Sequence, residues 1–143
     1  MFVVAVASVT ILHLLASRLP SRIASASGDA PWVEAGRADE IAEARGIVVT
    51  LADGAEVAIF RHDGKLSAVT NACAHQNGPL GEGRIIDGCI TCPWHGYQYR
   101  LEDGCAPPPF TETLATYRVR LNGGNVEVDP SPLPPGTPAA ITL

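Results

Sequence analysis

The hydrophobic positions fall into short runs from Gly46 onward, and turn-forming pairs separate the runs. The runs are rich in Val, Ile, Thr and Tyr, which favour strands, and they cover residues 47–51, 56–61, 66–70, 84–86, 89–92, 98–101, 114–121 and 125–128. Between them stand Asp-Gly pairs and one Asn-Gly-Gly turn, at 53–54, 63–64, 87–88, 103–104 and 122–124. Asx-Gly between apolar runs is a strong hairpin signal because both residues tolerate a positive φ. The pattern predicts an all-β fold, an antiparallel sandwich or barrel.

The first residues follow a different pattern. Residues 2–17 are apolar and uncharged, and Arg18 and Arg22 follow them. As a helix this run would span about 24 Å, whereas a bilayer core is about 30 Å thick and usually needs about 20 residues. Three interpretations stay open: a membrane anchor or the last helix of a larger membrane domain, a signal peptide ending near residues 24–26, and a docking helix. For an anchor, the two arginines would place the following domain on the cytoplasmic side.

The composition divides the chain further. We expect an apolar helix at 1–20 that is a candidate membrane anchor, a Ser/Ala/Gly-rich linker at 21–31, a β domain at 32–129 and a Pro-rich tail at 130–143. The tail holds five prolines between residues 130 and 138, so it is an extended strap or disordered and cannot supply a central strand.

The net charge is −5, and no basic patch is evident, which argues against a nucleic-acid partner. We therefore expect a cytoplasmic protein, with tethering to the membrane through residues 2–17 as the open alternative.

Two mixed pairs of metal-binding residues carry the chemistry. They are Cys73-x-His75 and, after sixteen intervening residues, Cys92-x-x-His95. Each pair places a thiol and an imidazole on one loop between predicted strands. Together they can bind one zinc ion, or one iron–sulfur cluster in which the cysteines hold one iron and the histidines the other. Zinc fingers place a Cys pair before a His pair, so the Cys-before-His order in both halves favours the cluster.

These two loops resemble those of the Rieske family, whose motif is C-x-H followed by C-x-x-H. The likeness extends to Gly78-Pro79-Leu80, to the segment 92–96 (Cys-Pro-Trp-His-Gly), and to Asp103-Gly104 followed by three prolines at 107–109. It covers about residues 32–129. The resemblance implies the Rieske fold: an antiparallel base sheet with a small inserted cluster-binding subdomain at about residues 71–97.

The resemblance also implies the roles of individual residues. Cys73 and Cys92 would ligate the inner iron of a [2Fe–2S] cluster, and His75 and His95 the outer iron. Around them, Gly78 and Gly96 would let backbone amides approach the sulfides. Tyr99 would donate a hydrogen bond to a ligand cysteine. Leu80, Trp94 and Pro107 would shield the cluster. The two cysteines outside the motif, Cys89 and Cys105, are expected to be small buried residues, with a disulfide between them as the alternative.

Three positions depart from the quinol-oxidising branch of the family. Gly78 and Trp94 stand where that branch has a disulfide, and Tyr97 stands where it has a serine that donates to a sulfide. Fewer hydrogen bonds to sulfur stabilise the reduced cluster less, so the potential should lie toward the low end of the Rieske range of about −150 to +300 mV. The chain therefore resembles the ferredoxin-type branch.

The expected function is one-electron transfer from a reductase to a terminal oxygenase or reductase, by a carrier without its own catalytic site. The main competing hypothesis is the Rieske domain of a membrane redox complex, with the N-terminal helix packed against a haem-bearing or other integral membrane domain. A redox-sensing module and a structural zinc protein also stay open at this point.

Overall fold

The computed structural model describes residues 30–143. The expected apolar helix at 1–20, and all but the end of the expected linker at 21–31, lie outside the described residues. Within residues 30–143, no helix is long and apolar enough to cross a bilayer. This part of the chain is all-β, as predicted: eleven strands and two single turns of 3-10 helix, Ala38–Glu40 and Leu80–Glu82.

The strands form two antiparallel sheets. In chain order they are β1 Val33–Arg37, β2 Arg45–Thr50, β3 Glu56–His62, β4 Lys65–Thr70, β5 Arg84–Ile86, β6 Cys89–Thr91, β7 Gln98–Arg100, β8 Thr116–Tyr117, β9 Val119–Asn122, β10 Asn125–Val128 and β11 Ile141–Thr142. The smaller sheet has the order β1-β10-β9, and the larger has the order β11-β4-β3-β2-β5-β6-β7 with β8 also paired to β4. Strands β5 to β7 join the larger sheet through one pairing between β2 and β5.

The hairpin of β3 and β4 separates two hydrophobic cores. Successive side chains of a strand point to opposite faces, and four consecutive positions of β3, residues 57–60, are fully buried. Val57 and Ile59 pack into a core shared with the smaller sheet. Ala58 and Phe60 pack into a second core, which also contains Cys73 and Cys92. The two candidate cysteine ligands therefore lie in the core on the Ala58 and Phe60 side of the central hairpin.

The strand prediction was wrong in two respects: one predicted run is divided into two strands, and strand β1 was missed. The apolar run at 114–121 is divided between β8, which pairs with β4, and β9, which pairs with β10 in the other sheet. The exposed Arg118 lies between them, so the chain changes sheet there. Strand β1 was not predicted, because Glu34, Gly36 and Arg37 interrupt its apolar pattern. Its partner strand, β10, lies far away in sequence.

The Pro-rich tail at 130–143 is an extended strap in the structure. The amides of Leu133 and Gly136 donate to the carbonyls of Thr116 and Leu114, at 2.8 and 3.1 Å. At its end, β11 adds to the outer edge of β4. An edge position avoids the loss of ladder hydrogen bonds that prolines would cause in the middle of a sheet. The strap thus holds the segment that follows β7 onto the larger sheet.

Candidate metal centre

Two loops with the same hydrogen-bond frame carry the four candidate ligands. The first loop is residues 71–79, after β4, and the second loop is residues 92–97, between β6 and β7. In each, the cysteine amide donates to the carbonyl five residues later, and the amide four residues after the cysteine donates back to the cysteine carbonyl. The N···O distances are 2.7–3.0 Å for Cys73–Gly78, Asn77–Cys73, Cys92–Tyr97 and Gly96–Cys92. The fourth residue after each cysteine has a positive φ: 58° at Asn77 and 71° at Gly96. Glycine and asparagine adopt this conformation at the lowest cost.

The two loops place the candidate cysteine ligands inside the protein and the candidate histidine ligands at its surface. Cys73 and Cys92 are buried, with 1% and 3% of their surface exposed, and their side chains are near enough to interact. His75 and His95 are exposed, and their rings meet edge to face with centroids 5.3 Å apart. No three His, Cys, Asp or Glu side chains within residues 30–143 converge closely enough to hold a single metal ion. The side chains form an inner thiol pair and an outer imidazole pair.

Glycine is required where the two loops touch. A Cβ built on Gly78 would lie 2.6 Å from Cys92 Sγ and 3.2 Å from the ring of Trp94. Real Cβ atoms do not approach other atoms so closely, so any larger residue would displace the sulfur or the loop. Gly78 thus keeps open the space directly beside one thiol.

The surroundings of the thiols disfavour free thiolates. Burial raises the pKa of the Cys92 thiol; the amides of Trp94 and His95 oppose this effect, and the neighbouring Cys73 side chain adds to it. Cys73 Sγ lies 3.2 Å from the hydroxyl of Tyr99. Burial, and then the contact with Cys73, raise the pKa of Tyr99, so this hydroxyl is protonated at neutral pH. It can donate to the sulfur once the thiol has lost its proton to a metal.

Two aromatic side chains pack beside the outer pair, and one of them stacks on His75. Tyr97 stacks on His75 with ring centroids 4.9 Å apart and an interplanar angle of 8°. Phe110, from a third loop at residues 105–113, packs against Tyr97 at 5.0 Å. A cleft of about 280 Å³ lies beside His95, and Tyr97, Pro107 and Phe110 line it. The third loop is therefore the wall next to the exposed imidazoles.

Asn71 stabilises the first loop through hydrogen bonds. This residue was not identified from the sequence. Its amide nitrogen donates to Glu56 Oε2 at 2.9 Å, and its Oδ1 accepts the Gly81 amide at 2.8 Å. Its backbone bonds both the Glu56 carbonyl and the Leu80 amide. Both ends of the first loop are thus fixed to β3. These partners lie ten and fifteen residues away, so no local sequence signal could have identified this role.

Comparison with known proteins identifies the family. The model described as Rieske [2Fe-2S] domain matches residues 31–118, more than half of the chain. The chain belongs to the Rieske family. Two curated relatives are the ferredoxin subunit of anthranilate 1,2-dioxygenase from Burkholderia cepacia and the ferredoxin component of the naphthalene 1,2-dioxygenase system from Pseudomonas aeruginosa. The first is 34% identical over 70% of this chain and 93% of that protein. The second is 31% identical over 68% of this chain and 94% of that protein.

A solved structure supports the fold. The ferredoxin of carbazole 1,9a-dioxygenase from Nocardioides aromaticivorans IC177 matches with a TM-score of 0.65 at 23% identity. The match covers 71% of this chain and all of that one. At this level of identity the likeness concerns the fold alone: a Rieske fold with little helix.

A Rieske domain binds a [2Fe–2S] cluster, and the residues of this site fit one. The donor set provides two buried sulfurs for one iron and two exposed nitrogens for the other, which is the Rieske division of ligands. The missing side chain of Gly78 leaves space beside Cys92. All four cysteines are free thiols, so no disulfide competes for the two in the loops.

Several predicted details differ in the structure. Trp94 was expected to shield the cluster, but 58% of its surface is exposed. Gly96 was expected to let backbone amides approach a sulfide; its own amide donates to the Cys92 carbonyl and closes the second loop. Cys89 and Cys105 were expected to be buried, yet both are half-buried. Cys89 lies on β6, one strand from the edge of the larger sheet.

Other predicted positions lie close to the two loops. Leu80 is fully buried in the core that contains both loop cysteines. Pro107 is half-buried and lines the cleft beside His95. Tyr97 replaces the serine of the quinol-oxidising branch, and its hydroxyl donates to Glu112 in the third loop. Sequence reasoning did not identify Glu112, which lies fifteen residues from its partner.

Proposed function

We propose that this chain carries single electrons from a reductase to a terminal oxygenase or reductase through a [2Fe–2S] cluster. Four side chains would hold the cluster: Cys73 and Cys92 on the inner iron, His75 and His95 on the outer iron. The observation that carries the proposal is the shared loop frame, which places the two thiols inside the core and the two imidazoles at the surface. We further propose that residues 32–129 form the Rieske domain and that residues 71–97 are its cluster-binding part.

The cluster supplies reversible one-electron chemistry when bound. The chain supplies the rest. The core around Cys73 and Cys92 excludes water from the inner side. The Tyr99 hydroxyl donates to a ligand sulfur, and such bonds tune a metal centre. The exposed edges of His75 and His95 form the short path by which an electron enters or leaves on contact with a partner.

The proposed class of terminal electron acceptor is based on the two curated relatives. Both curated relatives above are ferredoxins of dioxygenase systems, and both match this chain over nearly their whole length. This supports an oxygenase as the terminal acceptor. The relatives lend no support to the hypothesis of a membrane redox complex.

The ligand assignment is tested by alanine variants with controls from the same chain. We expect Cys73→Ala, Cys92→Ala, His75→Ala and His95→Ala to lose most of their iron and acid-labile sulfide. Cys89→Ala and Cys105→Ala are the matched controls and should retain both. Zinc without sulfide in the wild-type protein would contradict the proposal, as would loss of the cluster in a control variant.

The carrier role has its own test. The NADH-dependent reductase and the oxygenase of an aromatic-ring dioxygenase system serve as donor and acceptor, with this chain as the sole link. We expect the reductase to reduce the cluster rapidly and the oxygenase with its substrate to reoxidise it, both within the time of one turnover. A cluster that is stable but exchanges electrons with neither protein would favour a sensing module.

A further inference from the structure

The orientation of His75 depends on Tyr97. His75 is exposed, and its aromatic contacts within residues 30–143 are the edge-on His95 ring and the parallel Tyr97 ring. An exposed imidazole on a loop can rotate about its side-chain bonds unless a neighbour restrains it. Tyr97 stacks on one face of the His75 ring with the centroids 4.9 Å apart, so the tyrosine restrains the rotation of the histidine.

Tyr97 is in turn held by Glu112. The Tyr97 hydroxyl donates to Glu112 Oε2, and the Thr111 amide donates to the same oxygen at 3.1 Å. The backbone carbonyl of Glu112 accepts the Ala106 amide at 2.9 Å. The acceptor is therefore fixed by its own loop, and Tyr97 is tied at its far end to a segment outside both ligand loops.

Glu112 also brings a negative charge to the outer side of the site. Its hydrogen bond with Tyr97 is the main cause that lowers its pKa. The carboxylate is thus ionised at neutral pH, and it accepts a hydrogen bond from Tyr97, whose ring stacks on His75. A negative charge near a redox centre disfavours the addition of an electron.

We propose that Glu112 is a positioning residue of the cluster site: it anchors the Tyr97 ring on His75 and keeps a negative charge beside the outer ligand pair. The inference rests on the proposed function, since it concerns His75 as a ligand. It assigns a role in cluster tuning to the third loop, through a hydrogen bond rather than through water exclusion.

Three variants separate the two effects of Glu112. Glu112→Gln keeps an acceptor oxygen for Tyr97 and removes the charge. Tyr97→Phe keeps the ring and removes the donor, and Glu112→Ala removes both the acceptor and the charge. The matched control is Glu82→Gln, an exposed carboxylate with no hydrogen bond to another described residue. Each protein is purified with its cluster, so folding is judged by cluster content.

The first readout is the histidine nitrogen coupling of the reduced cluster, measured by pulsed electron paramagnetic resonance. We expect Tyr97→Phe and Glu112→Ala to change the coupling of one histidine, and Glu112→Gln to retain the wild-type coupling. The second readout is the midpoint potential, which should rise in Glu112→Gln relative to Glu82→Gln.

The outcomes also separate this inference from the proposed function. Wild-type protein without histidine coupling would overturn the ligand assignment itself. With that coupling present, unchanged spectra in Tyr97→Phe and Glu112→Ala would overturn the positioning role. A Glu112→Gln potential equal to that of Glu82→Gln would overturn the electrostatic role. If Glu112→Ala does not fold, the Tyr97→Phe and Glu112→Gln proteins still decide both.

Discussion

Gly78 faces the sulfur of Cys92 across the gap between the two ligand loops, and a Cβ at Gly78 would lie 2.6 Å from that sulfur. The two residues belong to different loops, so their contact fixes how the loops fit together. The space that glycine leaves lies beside a proposed iron ligand. A single methyl group should therefore act on cluster binding before it acts on the fold.

We expect Gly78→Ala to reduce cluster content strongly. The reason is steric, because the methyl group must displace Cys92 Sγ or the second loop. The measurement is iron and acid-labile sulfide per chain. The control is Gly88→Ala in the β5–β6 turn, where φ is +76° and a Cβ would meet open space. That change should cost about 1–2 kcal/mol of backbone strain and leave cluster content unchanged. Full cluster content in Gly78→Ala would contradict this view of the site.

We expect Tyr99→Phe to lower the midpoint potential. The Tyr99 hydroxyl lies 3.2 Å from Cys73 Sγ, and a hydrogen bond to a ligand sulfur stabilises the more negative, reduced state. A difference of about 1 kcal/mol between the two redox states corresponds to about 40 mV for one electron. Tyr117→Phe is the control, because Tyr117 is buried in the other core. Equal potentials for the two variants would refute the assigned hydrogen bond.

We expect Asn71→Ala to destabilise the fold by about 1–3 kcal/mol, the cost of leaving a buried polar group without its partner. The groups affected are the Gly81 amide and the Glu56 carboxylate. Denaturant midpoints at an unchanged m-value give the measurement. Asn125→Ala is the comparison, because Asn125 makes its hydrogen bond with the exposed Glu34 and its loss should cost within about 0.5 kcal/mol. Similar losses for both would show that Asn71 is no special anchor.

The hydrogen-bonded carboxylate of Asp103 should make the free energy of unfolding decrease in acid. Partial burial opposes the ionisation of Asp103, but hydrogen bonds from the Arg100 guanidinium and the Cys105 amide outweigh it, so the pKa of Asp103 is lowered. A carboxyl group whose folded pKa is below its unfolded value of about 3.9 contributes stability above that pH and loses it as the pH falls through the folded pKa.

We therefore expect the free energy of unfolding to fall below about pH 4, and Asp103→Asn to show a smaller fall. Unfolding at a series of pH values measures both. The matched change is Asp87→Asn in the exposed β5–β6 turn, which accounts for the general effect of removing one charge. Parallel acid profiles for wild type and Asp103→Asn would show that Asp103 does not contribute to the loss.

Local patterns predicted most of the framework. Alternation and Asx-Gly pairs located β2 to β7 because each of these strands meets a partner close in sequence, so that the signal is contained in one hairpin. Strand β1 pairs with β10 at the other end of the domain, and no local pattern records that pairing. The division of the run at 114–121 likewise depends on which sheet lies beside each half.

In the candidate site, too, local features were predicted and features that depend on the folded chain were not. Its four proposed ligands were predicted because the chemistry requires particular residue types at a fixed spacing. Asn71 and Glu112 were not, since each acts through a partner that only the folded loops bring near. The exposure of Trp94 could not be predicted either, because an aromatic residue beside a ligand is equally compatible with either side of the loop.

The measurement that tests the proposed function most directly is the midpoint potential of the cluster-loaded protein as a function of pH, by voltammetry. No thiol stands at Gly78 or Trp94 to form a disulfide, and the Tyr97 hydroxyl is bonded to Glu112. We predict a potential near the low end of the range of about −150 to +300 mV, independent of pH near neutrality, as suits a carrier supplied by a reductase. A high potential that falls with pH near neutrality would contradict the ferredoxin-type assignment and would favour a quinol-linked enzyme.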